Sequence, residues 1–147
     1  ELGGAVDLRH ARAHGFARML VDMGEPRAIS NKPDGSAWRI AIANPADPSR
    51  AVVTLDVVDK CVSTSGGYGT LFDSASAFTH LIDTRTGRTA PALLGVSVVA
   101  DTGTVADGLS TAMLMAPVER RQHILRSAGG QKAIYVTPDG VVSTVEA

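Results

Sequence analysis

Glycine and proline cut this chain into short pieces, and that limits its folds more than any other feature. Lys32-Pro33-Asp34-Gly35-Ser36, Asn44-Pro45-Ala46-Asp47-Pro48 and Pro138-Asp139-Gly140 are turn or loop sequences. Between the breaks lie short runs that alternate or are rich in β-branched residues: Trp38–Ile42, Ala51–Val57, Val62–Thr64, Thr79–Ile82 and Val96–Val99. Ala133–Thr137 and Val141–Val145 flank the last turn as a closing hairpin. With 15 glycines and only 4% aromatic residues, the core has to be built from small aliphatic side chains.

Helical patterning is confined to a few places. Residues 7–14 read as a short helix stopped by Gly15, followed by a strand over Phe16–Met23 and a break at Gly24-Glu25-Pro26. A longer helix starts at Thr104, where Asp107 three residues on has the spacing of a capping box. Val105, Leu109, Met113 and Ala116 make its apolar stripe. Pro117 suits the first turn of a following helix, and Gly129-Gly130 can end it. The expected fold is α+β: one domain over residues 1–147, a mostly antiparallel sheet with packed helices.

Composition removes several function classes. The 14 Lys and Arg against 15 Asp and Glu leave a formal net charge of −1, with no electrostatic footprint for nucleic acid or an anionic membrane. Cys61 is the lone cysteine, so an internal disulfide framework and a cysteine zinc cluster are both ruled out. No apolar run approaches the ~18–20 residues that span a bilayer. Glu1-Leu2-Gly3-Gly4-Ala5 has neither the basic nor the apolar region of a signal peptide and reads as the interior of a longer protein.

Four stretches can carry chemistry, and each has a plainer reading. Cys61 to Thr70 is rich in hydroxyls and glycines, which can cradle a phosphate; it also reads as a strand end running into a turn. His80-Leu81-Ile82-Asp83-Thr84-Arg85-Thr86-Gly87 places a histidine ahead of turn residues. His80 can serve as a general base or can simply be structural. Asp107 and Thr111 lie one turn apart on a helix face opposite the apolar stripe. Together they can hold a hard cation such as Mg²⁺. Alternatively, Asp107 completes the Thr104 cap, and Thr111 bonds back to the carbonyl of residue 107. The glycine turns Leu2-Gly3-Gly4 and Met23-Gly24-Glu25 can be element terminators and nothing more.

Taken in chain order, these stretches resemble the C-terminal part of the ApbE-type FAD:protein FMN transferases. The family pattern runs leucine-glycine-glycine, a helix, a glycine-acidic turn and a serine/threonine-serine-glycine loop. A histidine-x-x-aspartate-x-x-threonine-glycine turn and an alanine-aspartate-x-x-serine-threonine-alanine helix follow. The matching residues are Leu2-Gly3-Gly4, Met23-Gly24-Glu25, Ser63-Thr64-Ser65-Gly66, His80 to Gly87 and Ala106 to Ala112. The chain departs from the pattern at three points. Gly4 runs directly into Ala5-Val6-Asp7, where the family has an isoleucine-alanine-(lysine or glutamine)-glycine-aromatic stretch. Thr84 stands where proline is common, and Pro26 is unusual after the glycine-acidic turn.

The resemblance implies an α/β fold with a deep flavin cleft. It implies Mg²⁺-dependent transfer of the FMN part of FAD onto a threonine hydroxyl of an acceptor protein, with AMP released. Some relatives instead hydrolyse FAD to FMN and AMP. Carried over by position, Asp107 and Thr111 are metal ligands, and His80 and Asp107 are the catalytic residues. Gly3, Gly4, Gly24, Glu25, Ser63, Thr64, Ser65 and His80 line the FAD site. The stretch missing after Gly4 supplies a backbone carbonyl to the metal in the family. The resemblance therefore also predicts absent residues between Gly4 and Ala5, a missing N-terminal part of the same protein and an apolar face that it covers. It implies the periplasm or cell envelope as the compartment. The competing readings are a flavin-binding module without transfer activity, an FAD pyrophosphatase and a structural protein that keeps only the fold.

Overall fold

A computed structural model describes residues 10–67, 79–89, 95–137 and 139–147. The Gly3-Gly4 turn, the Gly4–Ala5 junction and Pro138 lie outside the described residues. Residues 10–13 are helical, and Gly15, at φ +87°, takes the left-handed conformation that ends the turn as the sequence predicts.

The strands are β1 (Met19–Val21), β2 (Arg27–Ile29), β3 (Trp38–Asn44), β4 (Asp47–Val57), β5 (Cys61–Gly66), β6 (Ile82–Asp83), β7 (Arg88–Thr89), β8 (Gly95–Ala100), β9 (Gly130–Val136) and β10 (Val142–Glu146). The helices are α1 (Gly103–Met115) and α2 (Arg121–Ser127), joined through a 3₁₀ turn at Val118–Arg120. Among the described residues the main sheet has the order β1-β2-β5-β8-β9-β10, and every neighbouring pair is antiparallel. The fold is α+β, as expected. No helix among the described residues is long and apolar enough to cross a membrane.

Strand alternation sorts the sheet into two faces. Val98, Val96, Ala133 and Tyr135 point to one side, where Leu109, Met113, Leu114 and Leu125 of the two helices cover them. Val62, Ile134 and Val136 point to the other, beneath Ile40, Ile42 and Val57 of the β3–β4 hairpin. Along β3 the burial alternates residue by residue, with Ile40 and Ile42 inward and Arg39 and Ala41 outward, as the sequence pattern requires. The sheet is thus sandwiched between helices and a hairpin. All of its large core side chains are aliphatic except Tyr135, whose hydroxyl donates to the Met113 carbonyl at 3.1 Å.

Several boundaries differ from the sequence reading. The strand expected over Phe16–Met23 is only Met19–Val21, because pairing with β2 ends there and Phe16 and Met23 are exposed. The Asn44–Pro48 loop narrows to Pro45 and Ala46; β3 and β4 run up to them and pair Asn44 with Asp47. The strand expected over Thr79–Ile82 bends at His80: Thr79 forms an isolated bridge, and Ile82–Asp83 pairs with Arg88–Thr89.

The largest correction is at the start of α1. Its N-cap is Thr102, whose hydroxyl accepts from the Val105 N–H at 3.3 Å; Thr104 is the second helical residue. Thr102 keeps the extended backbone of the chain leaving β8, at φ −132°, so the helix begins as soon as the strand has ended. Asp107 is left in the second turn, too far along to complete a capping box.

Candidate functional site

The antiparallel register carries β5 alongside β8, and α1 packs on the face of that pair. The stripe Val105, Leu109, Met113 and Ala116 faces inward, joined by Ala106, Ser110 and Leu114. Asp107 and Thr111 face outward and are exposed, as their spacing predicts. The carboxylate of Asp107 makes no hydrogen bond or ion pair among the described residues.

Ser65, near the end of β5, reaches across to this helix. Its Oγ lies 2.9 Å from Thr111 Oγ1 and 2.7 Å from Ser110 Oγ. Ser110, not Thr111, bonds back along the helix: its hydroxyl donates to the Asp107 carbonyl at 2.9 Å. Two stretches singled out in the sequence, Ser63–Gly66 and Ala106–Ala112, are thereby brought together. Ser110 is the serine of the Ala106–Ala112 motif, but the sequence gives it no site role. A polar residue on a buried face was the available signal.

The three hydroxyls of Ser63, Thr64 and Ser65 do not share a face. Ser63 is 2% exposed on the helix side and donates to Glu25 Oε1 at 2.6 Å. Thr64 is on the hairpin side, 2.7 Å from Ser97 Oγ. There a cleft of about 340 Å³ opens between β1, the Gly24 turn and β3, lined by Leu20, Asp22, Gly24, Ile40, Val62 and Thr64. Gly24 adopts φ +101°, which suits glycine at the break the sequence marks. Residues expected to line one flavin site therefore divide between the two faces of the sheet.

His80 is exposed at the bend before β6. The turn after it is built as its residues predict. The Asp83 carbonyl accepts from the Gly87 N–H at 2.8 Å, and the Asp83 carboxylate accepts from the Arg85 N–H at 2.9 Å. The Arg85 backbone bond, with the Arg85 side chain, holds the Asp83 carboxyl below its usual range.

A second polar group braces the entry to α1. Arg27 on β2 donates to the carbonyl of Asp101 and lies 3.1 Å from Cys61 Sγ. Lys60 pairs with the Asp101 carboxylate, which also accepts from Gln131 at 2.9 Å. The Lys60 hydrogen bond and charge keep the Asp101 carboxyl below its usual range. Cys61 is buried, as its small apolar character suggests.

The family model described as the ApbE family matches residues 4–135 of the chain. The chain belongs to the ApbE family. The FAD:protein FMN transferase of Salmonella typhimurium is 34% identical over 121 residues, covering 78% of this ApbE chain and 34% of the relative. The ApbE protein of Thermotoga maritima has the same fold, with a TM-score of 0.77 at 23% identity, over 95% of this chain and 48% of the other. Pseudomonas stutzeri flavinyl transferase ApbE, in its apo form, superposes with a TM-score of 0.67 at 30% identity, over 97% of this chain and 46% of the other. The ApbE chain thus spans about a third of the length of that curated relative and about half that of the solved structures.

The family resemblance implies a Mg²⁺ ion, and the residues present fit one. Asp107 and Thr111 offer a carboxylate and a hydroxyl, both oxygen donors, one helical turn apart on an open face. Mg²⁺ takes oxygen ligands and usually binds through one or two carboxylates while keeping several waters, so a sparse protein ligand set suits it. Gly108, between the two, leaves open space above the helix. Among the described residues no three His, Cys, Asp or Glu side chains gather into an alternative metal cluster.

Proposed function

We propose that this chain is the C-terminal part of an enzyme that transfers the FMN portion of FAD to a threonine hydroxyl of an acceptor protein, with Mg²⁺ as cofactor and AMP as the departing product. The observation that carries this reading is the pair Asp107 and Thr111, exposed one turn apart on α1, with Thr111 hydrogen-bonded to Ser65 at the end of β5. Relatives named FAD:protein FMN transferase support it. FAD, the acceptor and the N-terminal part of the same protein are its partners. The compartment in this reading is the periplasm or cell envelope, as the family resemblance implies.

The reaction exchanges a phosphoanhydride bond for a phosphoester. The bond between the FMN phosphorus and the bridging oxygen breaks, and that oxygen leaves with AMP. A bond from the threonine oxygen to the same phosphorus forms. His80 accepts the threonine proton, a role that an imidazole near neutrality can fill. Asp107 and Thr111 hold the cation, which when bound neutralises charge developing on the diphosphate. Gly24 and Thr64 line the cleft that takes FAD in this reading, Ser63 holds the adjoining turn through Glu25 from the other face, and the family resemblance adds Ser65, Gly3 and Gly4. Phosphoryl transfer needs mainly positioning and charge neutralisation. No covalent enzyme intermediate is required, and Cys61 stays a packing residue.

The test combines the whole protein with FAD, Mg²⁺ and a threonine-bearing acceptor, and measures AMP release and flavin attachment together. Asp107→Ala abolishes AMP release with the fold intact; full activity in that variant would sink the assignment. His80→Ala lowers turnover by ~10²–10⁴-fold if it is the base. AMP release that labels no acceptor under any condition marks an FAD pyrophosphatase. Bound flavin with no AMP release marks a binding module, and no bound flavin marks a protein that keeps only the fold.

A further inference from the structure

The hydroxyls between β5 and α1 have a proton order that can be worked out. Each serine or threonine hydroxyl carries one hydrogen to donate. Ser110 Oγ bonds the Asp107 carbonyl oxygen at 2.9 Å, and a carbonyl has no hydrogen to offer, so Ser110 spends its hydrogen there. In its 2.7 Å contact with Ser65, Ser110 must therefore accept, and Ser65 donates. That uses the Ser65 hydrogen. In its 2.9 Å contact with Thr111, Ser65 must then accept, and Thr111 donates. The order Thr111 to Ser65 to Ser110 to the Asp107 carbonyl follows from counting hydrogens.

The buried end anchors this order, and the exposed Thr111 end follows from it. Ser110 is fully buried, and the contacts run between a strand and a helix that pack closely. The consequence falls on the exposed end. Thr111 turns its hydrogen toward β5 and keeps the lone pairs of Oγ1 available to another partner. A hydroxyl oriented in this way attracts a cation, whereas one presenting its hydrogen repels it. Donating into a hydrogen-bonded chain also makes the Thr111 oxygen a better electron donor.

We propose that Ser65 and Ser110 are positioning residues that set the polarity of the Thr111 hydroxyl and so tune divalent-cation affinity, although Ser110 is buried beneath the helix. The inference rests on the reading that Asp107 and Thr111 hold the cation. Ser65 acts at one remove, and Ser110 at two. Losing Ser110 frees the Ser65 hydrogen to turn toward Thr111, which forces the Thr111 hydrogen outward. Either serine is then sufficient to break the order, so the two losses are not additive.

The test reads Mg²⁺ binding by calorimetry on the whole protein without FAD, together with the melting temperature without metal. Ser65→Ala and Ser110→Ala each weaken Mg²⁺ binding by about 10–100-fold, the usual effect of removing a group that orients a metal ligand. Ser65→Thr keeps the hydroxyl and restores affinity. The double variant binds no more weakly than the weaker single one. Alanine fits where serine stood, so Ser110→Ala decides the matter if Ser65→Ala folds poorly. Unchanged Mg²⁺ affinity in the serine variants overturns the inference while Asp107→Asn still abolishes binding. Undiminished binding in Asp107→Asn instead overturns the reading of the site, and the inference with it.

Discussion

Glu25 accepts a 2.6 Å hydrogen bond from Ser63 across 38 residues of sequence, and the bond ties the Gly24 turn to the centre of the sheet. β2 and β5 pair at Arg27–Cys61, where the Ala28 N–H donates to the Lys60 carbonyl at 2.9 Å and the Val62 N–H to the Pro26 carbonyl at 3.0 Å, and the Glu25–Ser63 bond extends this joint to the turn. The turn that lines the cleft on one face is thus held by a serine buried on the other.

Ser63→Ala removes the donor and leaves a carboxylate with one partner fewer. A hydrogen bond to a charged group is worth ~1.5–3 kcal/mol, so the variant should lose about that much stability by urea denaturation. Ser63→Thr, which keeps the hydroxyl on a strand, should lose less. Equal stability in Ser63→Ala and the parent would show that the bond contributes nothing.

The cap of α1 separates two threonines two positions apart. Thr102→Ala removes the side chain that accepts from Val105 and should cost ~1 kcal/mol. Thr104→Ala lies inside the first turn, makes no cap, and should stay within ~0.5 kcal/mol of the parent. Thermal melts of the two variants distinguish them, and the reverse order would restore the cap at Thr104.

The adjacent glycines after α2 serve different ends. A Cβ on Gly130 would stand 2.4 Å from Leu125 and 2.7 Å from Leu109, both in the core, so Gly130→Ala should cost ~1–3 kcal/mol by overpacking. Gly129 has open space but a φ of +81°, so Gly129→Ala should cost ~1–2 kcal/mol through backbone strain alone. Leu125→Ala should partly rescue Gly130→Ala and do nothing for Gly129→Ala, as read from a double-mutant cycle.

Asp101 makes stability depend on acid. Lys60 lowers its carboxyl pKa in the folded state, with Gln131 adding a further bond. A depressed folded pKa means that the contribution is present above the unfolded value, ~3.9, and is lost as pH falls through the folded one. Asp101→Asn should therefore be less stable than the parent at neutral pH, and the difference should shrink toward zero as the parent's carboxylate protonates. A difference that grew in acid would contradict the sign. Because both partners reach solvent, raising the salt concentration should also narrow the gap.

Much of the architecture was legible in the order of residues. The β3 alternation, the β-branched β4 and β8, the closing β9–β10 hairpin and the α1 stripe all follow from local periodicity, which each strand or helix obeys whatever surrounds it. The exposed face of Asp107 and Thr111 followed from the 3.6-residue turn for the same reason. Where pairing decided the outcome, the reading drifted. β1 ends where its pairing with β2 ends, not where its own apolar residues do. The α1 cap moved to Thr102 because the end of β8, braced by Arg27 and Lys60 at Asp101, set where the helix begins.

The family pattern was similarly readable as a string of motifs, since turns, caps and helix faces are chemistry within a few residues. What each motif touches was not. Ser63, Thr64 and Ser65 are consecutive, yet they meet Glu25, Ser97 and α1 respectively. Their separate faces come from strand geometry, but their partners come from the register of β5 on β8 and the seat of α1 on the sheet. Local sequence establishes which way a side chain points. Only the packed fold brings a second hydroxyl within 3 Å of it, because that distance is set by long-range contacts that no short window of residues contains.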